Sequence, residues 1–162
     1  NPSSNMKLGS GIANIKGIFA KGINIGLGSD SSASNNRLDI LGEMRLASLM
    51  AKGKSGNPEI LTPVEVLRMA TIEAAKALGL ESVTGSIEKN KKADIVAINL
   101  DSLDLLPCYD PLSSLIYSAG RSDINYVWVD GNIKLKENEL VNIDIDKLKF
   151  LAKSWQTKIQ KT

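Results

Sequence analysis

At 162 residues, with 43% hydrophobic and 23% charged side chains, the chain is long enough to bury one sizeable core and is not a disordered polypeptide. Lys+Arg 20 against Asp+Glu 18 leaves a net charge of +2, which gives no electrostatic ground for a nucleic-acid or membrane partner. One cysteine, Cys108, and no histidine exclude an intrachain disulfide, a thiol-based metal site and any Ser-His-Asp or Cys-His pair.

Residues 1–8 are polar and read as extended. Ile12, Ile15, Ile18 and Phe19 recur at three-to-four spacing and predict a short amphipathic helix within 11–22, closed by Gly22. Ile23–Gly28 then reads as a short strand, followed by Ser29 and the carboxylate of Asp30. The polar loop Ser31-Ser32-Ala33-Ser34-Asn35-Asn36 leads to a helix with Asn36 as N-cap and Asp39 in its first turn. This helix runs to about Ala51 and is expected to bury Leu38, Leu41, Met44, Leu46, Leu49 and Met50. Its Glu43 and Arg45 read as surface or interhelix polar groups. After the loop Lys52–Pro58, Thr62-Pro63-Val64-Glu65 carries a capping residue, a proline at the first helical position and a capping-box glutamate. Val64, Leu67, Thr71, Ala74 and Leu78 continue one stripe until Gly79.

Beyond Leu80 the pattern becomes strand-like. Ala93–Ile98 is a β-branched run, and Tyr126–Val129 and Ile133–Leu135 flank Asp130-Gly131-Asn132, a hairpin signal. Pro111–Ala119 predicts a short helix. Ile145, Leu148, Leu151 and Trp155 place a final helix over 144–160, with Trp128 and Trp155 as packing aromatics. Lys89–Lys92 reads as a solvated turn. There is no internal repeat, no signal peptide and no apolar run long enough to span a bilayer. The lone cysteine favours a cytoplasmic setting. The start at Asn1-Pro2, without an initiator methionine, points to a processed or truncated chain.

No phosphate-binding loop is present: Gly9-Ser10-Gly11 lacks the lysine and the preceding strand. The Pro-Cys-x-x-Cys signature of zinc deaminases is also absent. Chemistry therefore centres on Asp30. A carboxylate at the C-terminal end of a strand that feeds a helix sits where α/β barrels place catalytic groups. On spacing alone, a residue that merely caps or satisfies loop amides stands beside that reading. Asn5, Lys7 and Ser29 are ligand-contact candidates on the same terms.

Three ordered segments resemble the C-terminal part of the metal-dependent amidohydrolase superfamily. Asn1-Pro2-Ser3-Ser4-Asn5-Met6-Lys7-Leu8-Gly9-Ser10-Gly11 is similar to the stretch that follows an active-site histidine there. Gly28-Ser29-Asp30 with Ala33-Ser34-Asn35-Asn36 resembles the end of barrel strand eight, with its aspartate. Gly85–Glu88, Lys92–Val96 and Val127–Gly131 resemble the strand pair and closing hairpin of a β-sandwich beside the barrel. The variants look most like the branch that deaminates 5′-methylthioadenosine and S-adenosylhomocysteine, with guanine deaminases and triazine chlorohydrolases as relatives.

The resemblance implies an α/β fold, the C-terminal fragment of a (β/α)8 TIM barrel plus part of an attached β-sandwich. Residues 1–80 would be the barrel portion, 81–143 sandwich, and 144–162 a C-terminal helix. It implies hydrolytic deamination of an adenosine-type nucleoside with Zn2+ (or Fe2+) in the complete enzyme. Asp30 would be both metal ligand and proton acceptor, and Asn5 and Ser29 would be substrate-binding. The pattern departs at Ser31 and Asn90, where glycine is usual. The histidine co-ligands are absent from this chain, so the fragment alone is expected to retain no metal, to be inactive and to need the missing barrel portion or a partner chain. The alternatives are a related aminohydrolase of the guanine deaminase or triazine chlorohydrolase type, or a non-catalytic α/β module of the same ancestry; a homo-oligomer is compatible with either.

Overall fold

The computed structural model describes residues 1–160. Helices occupy its first half: α1 (Pro2–Lys7), α2 (Ile15–Ala20), α3 (Ile40–Ser55), α4 (Pro63–Ala70) and α5 (Ile72–Ala77). An antiparallel sheet follows, made of β1 (Ile95–Ile98), β2 (Ile124–Val129), β3 (Asn132–Lys136) and β4 (Glu139–Leu140), in the order β1-β2-β3-β4. Helix α6 (Pro111–Tyr117) lies between β1 and β2 in sequence, and α7 (Ile145–Ile159) closes the described chain. The end of the expected terminal segment, 161–162, lies outside the described residues.

The capping box stands as the sequence dictates. Thr62 Oγ1 accepts the Glu65 N–H at 3.4 Å, while Glu65 Oε2 accepts the Thr62 N–H at 2.7 Å. Leu61, just before this cap, and Val66, four positions into α4, are both fully buried. Both belong to one core cluster, at the two positions flanking the cap where an apolar pair fixes the entry of the chain into a helix. Leu41, Met44, Ala47 and Ala51 of α3, Met69 of α4 and Ile116 of α6 complete that core. Ile98 and Ile124 pack on it and so seat the sheet against the helices.

Several expectations give way. Residues 2–7 are helical rather than extended, because Pro2 occupies the first turn and the Asn5 N–H reaches the Asn1 carbonyl at 3.0 Å. The helix within 11–22 is confined to Ile15–Ala20, with Asn14 as its cap. Asn36 does not cap α3. Asp39 does, accepting the Gly42 N–H at 3.1 Å, and the helix continues to Ser55, where Gly56 takes a left-handed φ of 64°. Leu38 and Leu49 lie on the open side, 65% and 51% exposed. The single helix expected from Thr62 to Gly79 breaks at Thr71 (φ −129°, ψ −103°). Val66, Met69 and Ala75 are buried in place of the expected stripe, and Leu78 is 73% exposed.

Ile23–Gly28 is extended but forms no ladder. Among the described residues no strand lies beside it; it is held to the helices instead. The Leu27 N–H reaches the Met69 carbonyl at 2.8 Å, and Asn24 Nδ2 reaches the Glu73 carbonyl at 2.9 Å. A strand needs neighbours as well as β-branched residues, and here the backbone groups find helix termini. Gly85–Glu88 is likewise irregular rather than a strand.

The hairpin is as expected. Asp130 and Gly131 have φ of 50° and 74°, the double positive φ that a two-residue turn between twisted strands requires. Tyr126 and Trp128, two apart on one strand face, stack at 5.5 Å. Asn90 adopts φ 72°, as asparagine in place of glycine permits. Lys92 pairs with Asp130 at 2.9 Å. Helix α7 has no buried residue, and Phe150 and Trp155 are 70% and 60% exposed, so Trp155 is not a packing aromatic within this chain. No helix of the described residues is long and apolar enough to cross a membrane.

Asp94 pins the hairpin from outside. It accepts the Asp130 N–H at 2.8 Å and the Thr84 hydroxyl at 2.9 Å, and these bonds, the Asp130 N–H foremost, hold its carboxyl below the ordinary value of 3.8. A carboxyl with a lowered folded value stabilises fully above 3.8, and the contribution fades as pH falls through the lower value. The urea midpoint of Asp94→Asn, followed from about pH 5 downwards, should fall less steeply with acid than that of the parent. Parallel curves would remove Asp94 from the acid response.

Candidate active site

Asp30 ends the extended segment in a left-handed backbone, φ 62°, and its side chain lies open to solvent. Aspartate is one of the few residues that tolerates this region. One carboxylate oxygen, Oδ2, accepts the Ser4 hydroxyl at 2.5 Å, and the other, Oδ1, accepts the Ser31 N–H at 2.7 Å. The Ser34 hydroxyl, then that of Ser4, then the Ser31 amide draw its pKa down to about 2. The group therefore stays anionic through the neutral range. With four lone-pair positions, it keeps acceptor capacity toward the solvent side.

The neighbours arrive from three elements. Helix α1 brings Ser4, which is 2% exposed. The loop 31–36 brings Ser31, Ser34 and Asn35. Helix α3 brings Glu43, also 2% exposed, whose Oε2 accepts the Ser3 N–H at 3.0 Å and whose Oε1 accepts Asn35 Nδ2 at 2.8 Å. The same Asn35 Nδ2 donates to the Ser29 carbonyl. Lys7 and Asn36 are joined side chain to side chain, tying the end of α1 to the loop.

Of the residues singled out from sequence, Ser29 adjoins Asp30 and Lys7 is tied to the loop that follows it, whereas Ser4, which holds the carboxylate, was not among them. The Ser29 hydroxyl, however, turns onto the Asp30 backbone carbonyl at 3.2 Å rather than onto its carboxylate. Asn5 lines a cleft of about 100 Å³ with Ile12, Ile25, Leu27 and Met50, and Asp30 is not among the residues of that cleft. A larger cleft of about 430 Å³ lies along Ile23–Ile25 and α4, away from Asp30. Of the two readings open for Glu43, surface or interhelix, the structure gives the second, joining α3 to Ser3 of α1; what the sequence reading missed is its burial beside the Asp30 loop. Its signal was present: it shares the helix face of Ala47, four residues on, with the buried Leu41 and Met44 alongside. Arg45 does bridge elements, donating to the carbonyls of Ile116 at 3.2 Å and Ala119 at 2.6 Å at the end of α6.

An anionic, exposed carboxylate with free acceptor capacity fits one position in a zinc shell, where aspartate oxygen is an ordinary donor. It cannot fill the others. The chain has no histidine, and the described residues hold no cluster of three or more His, Cys, Asp or Glu able to bind a metal.

The profile of the Amidohydrolase family matches residues 1–134. A 5-methylthioadenosine/S-adenosylhomocysteine deaminase of Acetivibrio thermocellus is 46% identical over 153 residues, covering 94% of this chain and 36% of that protein. The zinc-bound crystal structure of an adenosine deaminase from Xanthomonas campestris superposes with a TM-score of 0.95 at 38% identity, covering 99% of this chain and 37% of that one. A zinc complex of atrazine chlorohydrolase from Arthrobacter aurescens gives 0.86 at 29% identity, covering 94% and 34%. The chain thus spans about a third of the length of the curated relatives it matches. The structural neighbours are TIM-barrel enzymes, and the fold is a fragment of that architecture in mixed helix and sheet.

Proposed function

Because this chain belongs to the amidohydrolase family, we propose that it is the C-terminal portion of a metal-dependent hydrolase that deaminates an adenosine-type nucleoside, such as 5′-methylthioadenosine or S-adenosylhomocysteine. In this reading water replaces the exocyclic amino group of the purine ring and ammonia departs. Residues 1–80 are the barrel portion, 81–143 the sandwich portion, and a terminal helix follows. The reading keeps the cytoplasmic setting inferred from the lone cysteine.

The observation that supports it most directly is Asp30, an exposed carboxylate held ionised at the end of an extended segment. Its likeness to the family's strand-eight aspartate makes it one ligand of the metal. The metal, when bound, polarises water so that a nucleophile exists near neutral pH. The chain's own contribution is positional. Ser4 and the Ser31 amide fix the Asp30 carboxylate and, with the Ser34 hydroxyl, keep it ionised, and that carboxylate receives the proton that is passed to the departing amine. Asn5 and Ser29 remain substrate-side candidates on the strength of the resemblance.

The open apolar surface supports a portion of a larger fold over a self-contained binding module. Leu103 is 88% exposed, Ile87 82%, and α7 presents Phe150 and Trp155 to solvent. A module complete in itself buries such faces. In the proposed protein the remaining barrel covers part of them.

The test uses the full-length protein with 5′-methylthioadenosine, S-adenosylhomocysteine, guanine and a triazine as substrates, read by ammonia or chloride release. Adenosine-type turnover should disappear on chelation and return with zinc, and residues 1–162 alone should show none. Release from guanine or the triazine alone would move the substrate assignment to those related chemistries. Turnover by the isolated 162 residues would overturn the reading.

A further inference from the structure

Glu43 is the buried charge that the chemistry above leaves without a role. A carboxylate out of water is costly unless fully hydrogen-bonded, and no ion pair with a basic side chain is formed by Glu43 among the described residues. Both of its oxygens instead accept from neutral donors, the Ser3 N–H at 3.0 Å and Asn35 Nδ2 at 2.8 Å. Those two donors belong to the two elements that flank Asp30. Ser3 precedes Ser4, whose hydroxyl reaches Asp30 Oδ2 at 2.5 Å. Asn35 also holds the Ser29 carbonyl, the peptide group immediately before Asp30. One carboxylate on a rigid, Asp39-capped helix therefore sets both the α1 side and the loop side of the Asp30 carboxylate.

We propose that Glu43 is the positioning residue of the Asp30 site, holding α1 and the 29–35 loop in the register that aims the Asp30 carboxylate. The proposal rests on the reading of Asp30 given above. An anion is required because two donors converge on one side chain. The glutamine amide keeps one acceptor and turns a second donor against either Ser3 N–H or Asn35. Glu43 does not touch the reacting atoms, so its loss acts through Asp30.

The experiment compares Glu43→Gln, Asn35→Ala, the double variant and Asp30→Asn in the full-length protein. It reads zinc affinity by equilibrium dialysis, kcat and KM separately, and melting of the metal-free form. Outer partners that orient a metal ligand are worth about 10- to 100-fold in metal affinity or activity. Glu43→Gln and Asn35→Ala should each lose about that much in zinc affinity and kcat, with KM within about twofold and a folded metal-free protein. The double variant should lose little more than either single one, because both break the same chain of bonds. Wild-type zinc affinity and kcat in both single variants, with Asp30→Asn inactive, would overturn the role of Glu43 alone. Asp30→Asn with unchanged zinc and turnover would instead overturn the parent reading. Should Glu43→Gln fail to fold, Asn35→Ala still decides the matter, since it cuts the Glu43–Ser29 link while leaving Glu43 bonded to the Ser3 N–H. Loss confined to melting, with kcat per folded molecule unchanged, would reduce Glu43 to a structural residue and overturn the proposal.

Discussion

In the full-length protein, Asp30→Asn should lower kcat for deamination by about 10²- to 10⁴-fold, the range that a proton-transferring group supplies. It should also weaken retention of the metal. Asparagine is the informative replacement because it tolerates the left-handed backbone at this position, where φ is 62°. It can also keep its neighbours satisfied. Its carbonyl can accept the Ser31 N–H, and the Ser4 hydroxyl can turn to accept from the amide nitrogen. The variant therefore removes charge and proton affinity while leaving the local scaffold standing. Ammonia release, zinc content and melting of the same preparation separate these effects. Turnover close to wild type in a folded, zinc-loaded Asp30→Asn protein would end the assignment of Asp30.

Leu61→Ala should cost about 2–5 kcal/mol, the range for truncating a buried leucine. The residue has no exposed surface and sits in the core cluster to which α3, α4 and α6 contribute. It does so with φ at 53°, a region that a bulky residue enters only when its surroundings over-determine it. Those surroundings are the core cluster it shares with Val66 and the Ser48 hydroxyl, which donates to the Leu61 carbonyl at 2.9 Å. Leu61→Gly separates the two contributions. It loses the same side chain but relaxes the backbone, so it should be no less stable than Leu61→Ala despite glycine's greater chain entropy. Urea midpoints of the three proteins check this. A shift under about 1 kcal/mol for Leu61→Ala would show that the cluster closes over the gap.

What the residues announced locally, the structure largely honours. Thr62-Pro63-Val64-Glu65 and Asp130-Gly131 carry their geometry within four residues, so no distant contact is needed to read them. Asp30 stands out for a related reason, as a carboxylate after an apolar run, and its part in the chemistry is what Asp30→Asn tests. What failed depended on partners. Ile23–Gly28 has the composition of a strand, yet its amides bond to the ends of helices. The break at Thr71 re-phases the apolar stripe, so the residues facing the core after it cannot be counted from those before it. Asn36 and Asp39 are both good caps by type, and only the Gly42 amide shows which one is used. Glu43 was hidden by its own charge. Acidic side chains in a first helical turn ordinarily face water, and only the meeting of Ser3 and Asn35 makes burial affordable here.

Helix α3 carries Glu43 toward the Asp30 loop and, two residues later, Arg45 toward the end of α6. Successive residues of a helix are separated by about 100° of rotation. Adding or deleting one residue between Asp39 and Glu43 would swing both side chains off their targets together. The same change among Gly53–Asn57, beyond the last buried turn, would touch neither. Divergent copies of this sequence should therefore keep a fixed spacing from Asp30 to Arg45 while their lengths drift after Lys52.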